Sequence, residues 1–434
     1  MPLRRARYLL LLLPVSLVGP EIPDGVSGPA GRVFEWEELA EGVYAAVVRE
    51  RPAAYAFANS LVVVTGDGVL VVDTQQSPTA ARALIAHLPA LTSRPVRWVV
   101  NTHWHGDHVY GNQAYRDAYP GVTFIGHAST RADVLSKGKR RLEEDLERLP
   151  ASIARLDEVL AGGGSGEGSS LTDRERTALA YRRALRAAYL EDLRGLELVP
   201  PDLTFDREID LHPGGREIRI VHVGPAHTRG DVVVLVPDAG VAAVGDVLDE
   251  GLPWIDEDSS PAGWLAALER IEALDDAVSV YVPSHGAVQR GSDLLEAYST
   301  FFDRLVGAAR EGRTAGGGER EVRARLGVSE IRRLLALPPS VDDAAIGRFL
   351  DRAVEAAVHD RGLPFDTEAG SAGNQRAFVP RAAGTRRRSR RPGSGPSTKS
   401  AVERTSAVRP SAAVTVTCAT PRAGRPVRGS RTWP

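Results

Sequence analysis

From Val33 onward the chain alternates short β-branched runs with amphipathic stretches. The runs VFEWEEL, GVYAAVV, SLVVVT and VLVVD predict strands, the last two joined at Gly66-Asp67-Gly68, a hairpin signal between β-branched segments. Ser77-Pro78 offers an N-cap and a first helical residue, so a helix is expected from Ser77 to Leu88. The strand Val96 to Val100, a helix from about His108 to Ala118 and the strand VTFIG continue a β-α-β rhythm, which predicts an α/β fold.

Residues 128–195 break that rhythm. Arg, Glu, Leu and Ala recur there at helical spacing, interrupted by AGGGSGEGSS at 161–170, which predicts two long amphipathic helices joined by a flexible loop. Strands return at 207–211 and 216–223 around Pro213-Gly214-Gly215, then in DVVVLVP and VAAVG. A helix near 261–274, the strand VSVYVP and a helix from 291 to about 311 follow, with a helical appendage over 317–360. Beyond Pro364 the apolar periodicity stops, and a tail rich in Arg, Ser, Pro and Gly, containing RRRSRR at 386–391, is expected to be disordered.

Composition changes this picture in three places. The chain of 434 residues is 43% hydrophobic and 25% charged, as in ordinary soluble proteins, but its formal charge of −2 hides a split. Residues 369–434 carry fourteen Lys or Arg against the single acid Glu403, which leaves the rest of the chain acidic. An acidic body repels phosphates, so a small-molecule substrate is expected rather than nucleic acid, with the tail read as a solvated extension. The single cysteine, Cys418, excludes a disulfide within the chain and a thiolate-rich zinc site. The N-terminus, with Arg4, Arg5 and Arg7 before an apolar stretch from Tyr8 to Val18, matches a secretory signal or N-terminal anchor over residues 1–28 and is too short for a stable membrane span. Export to the periplasm or beyond is the expectation, with a cytoplasmic location the alternative.

The candidate chemistry lies at strand ends. THWHGDH at 102–108 puts His103, His105 and Asp107 at alternate positions, which on an extended segment point the same way, while Gly106 permits a bend that swings His108 into the same pocket. His227 in GPAHTRGD, Asp246 in AVGD and His285 in VPSHG each follow an apolar strand, so the same rim can gather all seven. Imidazole and carboxylate donors together suit zinc, with Fe or Mn possible. Thr228 and Asp231 are candidates for orienting ligands; Tyr55, Phe57, Trp104 and Trp254 are candidates for walling a pocket, with packing the alternative for Trp104. His87, His127, His212, His222 and His359 are read as core or surface residues. No G-x-S-x-G elbow is present, and the Gly-rich runs lack the context of a phosphate loop.

HWHGDH followed by AHTRGD, GD and SHG resembles the metallo-β-lactamase superfamily over roughly residues 33–313. The resemblance implies a four-layer αβ/βα sandwich of two mixed sheets, with 128–195 as a helical insertion. It implies a first zinc on His103, His105 and His227, a second on Asp107, His108 and His285, and Asp246 shared between them. It further implies a zinc-dependent hydrolase in which a metal-activated hydroxide, held by Asp107 as the catalytic carboxylate, cleaves an ester, thioester, lactone or β-lactam bond. A mono-iron enzyme of the persulfide-dioxygenase type and a non-catalytic zinc-binding protein are the alternatives.

Overall fold

The structure, a computed structural model, describes residues 33–48, 58–162, 171–274 and 278–360. The N-terminal segment 1–28, the tail from 364, Tyr55, Phe57 and most of the glycine-rich loop at 161–170 lie outside the described residues. The first sheet holds seven strands in chain order: β1 (Glu35–Ala40), β2 (Val43–Val47), β3 (Ser60–Val64), β4 (Val69–Val72), β5 (Val96–Val100), β6 (Thr123–His127) and β7 (Leu203–Phe205). Pairing is antiparallel up to β4 and parallel from β4 to β7. Parallel neighbours need crossovers. Helix α1 (Pro78–Leu91) supplies the first; α2 (Gly106–Val109) and α3 (Asn112–Ala118) supply the second.

Between β6 and β7 lie α4 (Ala128–Asp133), one π turn over Val134–Gly138, and the long pair α5 (Lys139–Gly162) and α6 (Asp173–Arg194). Thr172 and Glu175 form a reciprocal capping box that starts α6 sharply after the loop. The second sheet is β8 (Glu208–Leu211), β9 (Ile218–His222), β10 (Val232–Val236), β11 (Val241–Gly245), β12 (Val280–Pro283) and β13 (Gln289–Arg290), and α7 (Pro261–Leu274) carries the chain from β11 to its parallel neighbour β12. After it come α8 (Asp293–Thr314), α9 (Glu319–Arg323), α10 (Val328–Leu334) and α11 (Asp343–His359).

The strand sequences read as nearly unbroken apolar runs because both faces of each sheet are covered. Leu61, Val63, Leu70, Val72 and Val100 meet Ile220, Val232, Val234 and Val241 between the sheets. Their neighbours Val62, Val71 and Val99 point the other way, onto Leu84, Leu88 and Tyr115 of α1 and α3. On the second sheet Val233, Leu235 and Val244 face Trp264 and Phe302 of α7 and α8. The result is helix, sheet, sheet, helix, the αβ/βα sandwich. The helices over 317–360 share that last cluster through Ile331, Ile346, Phe349 and Leu350. Each such side chain, fully buried, contributes about 1.5–3 kcal/mol.

Two glycines tie the sheets together. The Gly66 hairpin and the Gly214 turn touch backbone to backbone: a Cβ on Gly66 would lie 2.6 Å from the Gly214 carbonyl oxygen, and Gly214 itself has φ +56°. Asp67 completes the contact by accepting the Gly214 N–H at 2.7 Å.

Most elements stand where the apolar pattern put them. One helix does not: the stretch expected from His108 to Ala118 is two helices, α2 already starting at Gly106 and α3 following after a break at Tyr110-Gly111. At Gly111 a Cβ would lie 1.7 Å from the Thr74 carbonyl oxygen, so the chain turns there against the end of β4. Strands β7 and β13 are additional; at three and two residues they carry too little periodicity to be legible.

A second link between the sheets is a pair of stacked histidines. The rings of His127 and His222 lie 3.8 Å apart at 7°, and their Nε2 atoms sit 3.1 Å from the carbonyls of Asp206 and Arg229 respectively. Burial, then the neighbouring His127, pushes His222 down from 6.5 to about 3. Below pH 6.5 the unfolded chain therefore takes up a proton that the folded chain refuses, and stability falls as pH falls toward 3. This group contributes at most about 1.4 kcal/mol per pH unit. Urea midpoints measured from about pH 7 to 5 should decline less steeply for His222→Phe than for the wild type; parallel curves would assign the acid sensitivity elsewhere.

Candidate metal centre

Four strand ends build the site. The chain leaving β5 bends through residues 102–105, which carries His103 into the cluster, and His105 then caps α2, whose first turn presents Asp107 and His108. In place of the alternation expected of an extended segment, a bend carries His103 and His105, and a helical turn positions the other two. His227 lies in the loop from β9 to β10, Asp246 follows β11, and His285 follows β12. Gly245 takes φ +57° to turn β11 into Asp246, with Thr102 packed so closely that a Cβ there would lie 3.0 Å from it.

All seven predicted residues come together. Donor atoms of His103, His105, His227 and Asp246 lie within 4.8 Å of one another, as do those of Asp107, His108 and His285. Asp246 stands between the two groups. Its Oδ2 is 3.5 Å from His227 Nε2, 3.9 Å from His103 Nε2 and 3.4 Å from His285 Nε2, and its Oδ1 is 3.3 Å from His108 Nε2. Asp107 Oδ2 reaches His285 Nε2 at 3.4 Å and His108 Nε2 at 3.5 Å.

These residues fit cations. His103 Nε2, His108 Nε2 and Asp246 Oδ1 are buried and make no hydrogen bond, although a buried polar atom left unpaired costs about 1–3 kcal/mol. Three of the five imidazoles are held by their other nitrogen: His108 Nδ1 by Asp73 at 2.9 Å, His227 Nδ1 by the Trp254 carbonyl at 2.9 Å, His103 Nδ1 beside Thr102 Oγ1 at 3.1 Å. Such outer contacts fix the tautomer and aim the free lone pair inward.

The electrostatics point the same way. Burial alone lowers all the imidazoles, and His103 and His105 stay well below the ordinary range. At His108 and His285 the surrounding carboxylates outweigh burial and raise basicity well above it. Burial pushes the Asp107 and Asp246 carboxyls up, but the histidines prevail and hold both well below the usual carboxylate range. The cluster draws in positive charge.

Sequence reasoning missed three contributors. Asp73, ending the run VLVVD with φ +60°, accepts from Thr102 N at 2.9 Å and Thr102 Oγ1 at 2.7 Å besides holding His108. Its signal was an acid at the end of an apolar strand on the same rim. Asp249 accepts the His285 N–H at 3.0 Å, and burial followed by the nearby Asp246 lifts its carboxyl to about 7. Asp256 lies 3.8 Å from His105 Nε2. Thr228 and Asp231 bind each other at 2.6 and 2.8 Å and brace the loop that carries His227. Trp104 is a packing residue: it joins Tyr110, Leu142, Leu149 and Tyr189 under the insertion and donates to Asp258 at 3.0 Å. Of the other histidines, His87 stacks on Trp36 and His359 meets Glu319, both far from this role.

Two mixed sheets with outer helices and a His/Asp cluster able to hold metal ions at the strand-end rim define the class: an αβ/βα sandwich with a candidate metal site. The chain belongs to the metallo-beta-lactamase superfamily, whose sequence profile matches residues 55–285. Its members are mostly hydrolases. A linear primary-alkylsulfatase from a Pseudomonas species is 24% identical over 246 residues, covering 53% of this chain and 42% of the relative, so the match spans less than half of that protein. Among solved structures, a metallo-beta-lactamase from Pontibacter korlensis is 18% identical with a TM-score of 0.45, covering 62% of this chain and 99% of that one. The mono-zinc metallo-beta-lactamase FIM-1 from Pseudomonas aeruginosa is 20% identical with a TM-score of 0.44, covering 63% and 98%. No helix among the described residues is long and apolar enough to cross a membrane.

Asp73→Ala removes the shared partner of His108 and Thr102 and leaves buried donors unpaired. Chemical denaturation of the chelator-treated variant should show a loss of about 3 kcal/mol. A loss under about 0.5 kcal/mol would mean that Asp73 does not organise the cluster.

Proposed function

We propose that this protein is a metal-dependent hydrolase cleaving an ester-type bond in a small molecule. His103, His105 and His227 would hold one cation, Asp107, His108 and His285 would hold a second, and Asp246 would be available to both. The observation that carries this reading is the position of Asp246, within 3.9 Å of imidazoles from both groups while its own Oδ1 lacks a hydrogen bond. The donor set of nitrogen and carboxylate oxygen suits zinc, and iron or manganese would also accept it.

Bound there, the cations supply Lewis acidity and lower the pKa of water enough for attack at neutral pH. The chain does the rest. Asp107, the partly exposed carboxylate of the cluster, orients the attacking water and takes its proton. Asp73 and the Trp254 carbonyl keep the imidazoles from rotating, so the donors need no reorganisation when substrate arrives. The alkylsulfatase relative adds sulfate esters to the thioester, lactone and β-lactam bonds worth testing. Export, expected from the N-terminal segment, belongs to the same proposal.

Elemental analysis of the purified protein should find about two zinc per chain, and chelation should abolish hydrolysis in a screen of these bond types. Asp246→Asn should lower kcat/KM by about a hundredfold or more and weaken metal retention. One iron per chain with oxygen-dependent turnover would replace this reading by the dioxygenase type, and bound zinc with no hydrolysis by a non-catalytic metal protein.

A further inference from the structure

The segment after Asp246 does more than return the chain to α7. Among the described residues the large apolar side chains left exposed are Leu135, Tyr181 and Trp254, the last at 62%. A lone exposed apolar residue is ordinary. Trp254 differs because its backbone is tied to the cluster while its ring stays exposed. Its carbonyl accepts from His227 Nδ1 at 2.9 Å, and Asp256, two residues further on, faces His105 Nε2 at 3.8 Å. The carbonyl is engaged and the ring is left to solvent.

The surrounding segment is pinned as well. Asp258 accepts from Trp104 Nε1 at 3.0 Å and from Lys137 Nζ at 2.5 Å, and its own N–H donates to Asp256 at 2.9 Å. Lys137 belongs to the π turn that also exposes Leu135, at 51%. Two of the three exposed apolar side chains therefore sit on segments joined directly by Asp258, next to His105 and His227. Asp256 and Asp258 are occupied by these contacts and Glu257 pairs with Arg140 at 3.5 Å, so the apolar surface the segment offers an incoming molecule is the indole.

We infer that Trp254 is a specificity-determining residue, a fixed platform on which the apolar chain of an amphiphilic substrate lies while its hydrolysable polar head enters the cluster. This rests on the hydrolase reading above and narrows it to substrates that join an alkyl or aryl group to the scissile bond. An aromatic face suits such a group because it covers apolar area at little cost in side-chain entropy.

The test is binding without turnover. Calorimetric titration with n-alkyl sulfonates of increasing length, from butane- to octanesulfonate, compares wild type, Trp254→Ala and Trp254→Phe, each with its metal content measured. Affinity should rise with chain length in the wild type. Trp254→Ala should flatten that rise and weaken octanesulfonate by about tenfold, while Trp254→Phe keeps most of it. A wild type without chain-length dependence, or an unchanged slope in Trp254→Ala, overturns the inference. The variants' metal content and the hydrolysis screen report separately on the hydrolase reading, so failure of one is distinguishable from failure of the other. Because the side chain is largely exposed, its truncation opens no cavity in the core.

Discussion

A buried carboxylate surrounded by imidazoles is the constraint on which the rest of this structure depends. Asp246 is 6% exposed and stands within 3.9 Å of four histidine rings. Removing a carboxylate from water costs several kcal/mol unless positive charge accompanies it. The imidazoles of His108 and His285, whose basicity the carboxylates raise, meet part of that demand, and the proposed cations would meet more of it through His103 Nε2 and Asp246 Oδ1, which hydrogen bonds leave empty.

Such a cluster exists only if four loops arrive in register, and the sandwich provides this. Each sheet is covered on both faces, so a one-residue slip in any strand would move its side chains to the opposite apolar layer and misplace the ligand that follows. β11 and β12 run parallel, with Val241 opposite Val280 and Gly245 opposite Pro283, which delivers Asp246 and His285 to the same rim. The loops then clasp one another: Asp249 accepts from His285 N, and Glu250 N donates to the His285 carbonyl at 2.9 Å. Precision at the metal centre is thus inherited from apolar packing several residues away.

This division explains what could be read from sequence. His103, His105, Asp107, His108, His227, Asp246 and His285 were legible because each sits just beyond an apolar run, and strand ends are where sheets gather ligands. Asp73 carries the same mark, but one acid after one strand is indistinguishable from a turn until His108 is seen beside it. Asp249, Asp256 and the Trp254 carbonyl act across gaps of tens of residues or through backbone atoms, which no side-chain pattern records. The break between α2 and α3 escaped for a related reason. It is imposed by the approach of Gly111 to Thr74, a contact between segments that leaves no periodicity in either.

The insertion shows how a generic centre acquires a particular mouth. Its root is not a free hinge: Lys137 reaches Asp258, Arg229 grips Asp133 with two bonds of 2.7 Å, and Trp104 packs among Leu142, Leu149 and Tyr189 while donating to the same Asp258. Trp104 lies between two residues of the metal cluster, so the helices that cover it rest directly on the loop they frame. Toward its far end the pair α5 and α6 buries little beyond Leu156, and it gains its order from helix-to-helix contacts and surface ion pairs such as Arg183 with Asp157. Exposed pairs of that kind contribute little, because solvent screens them. Change there is cheap in stability, whereas change at the root alters how the loop of Trp254 and Asp256 meets His105 and His227. On the proposed reading, the selectivity assigned to Trp254 therefore depends on where the insertion joins the sandwich more than on its length.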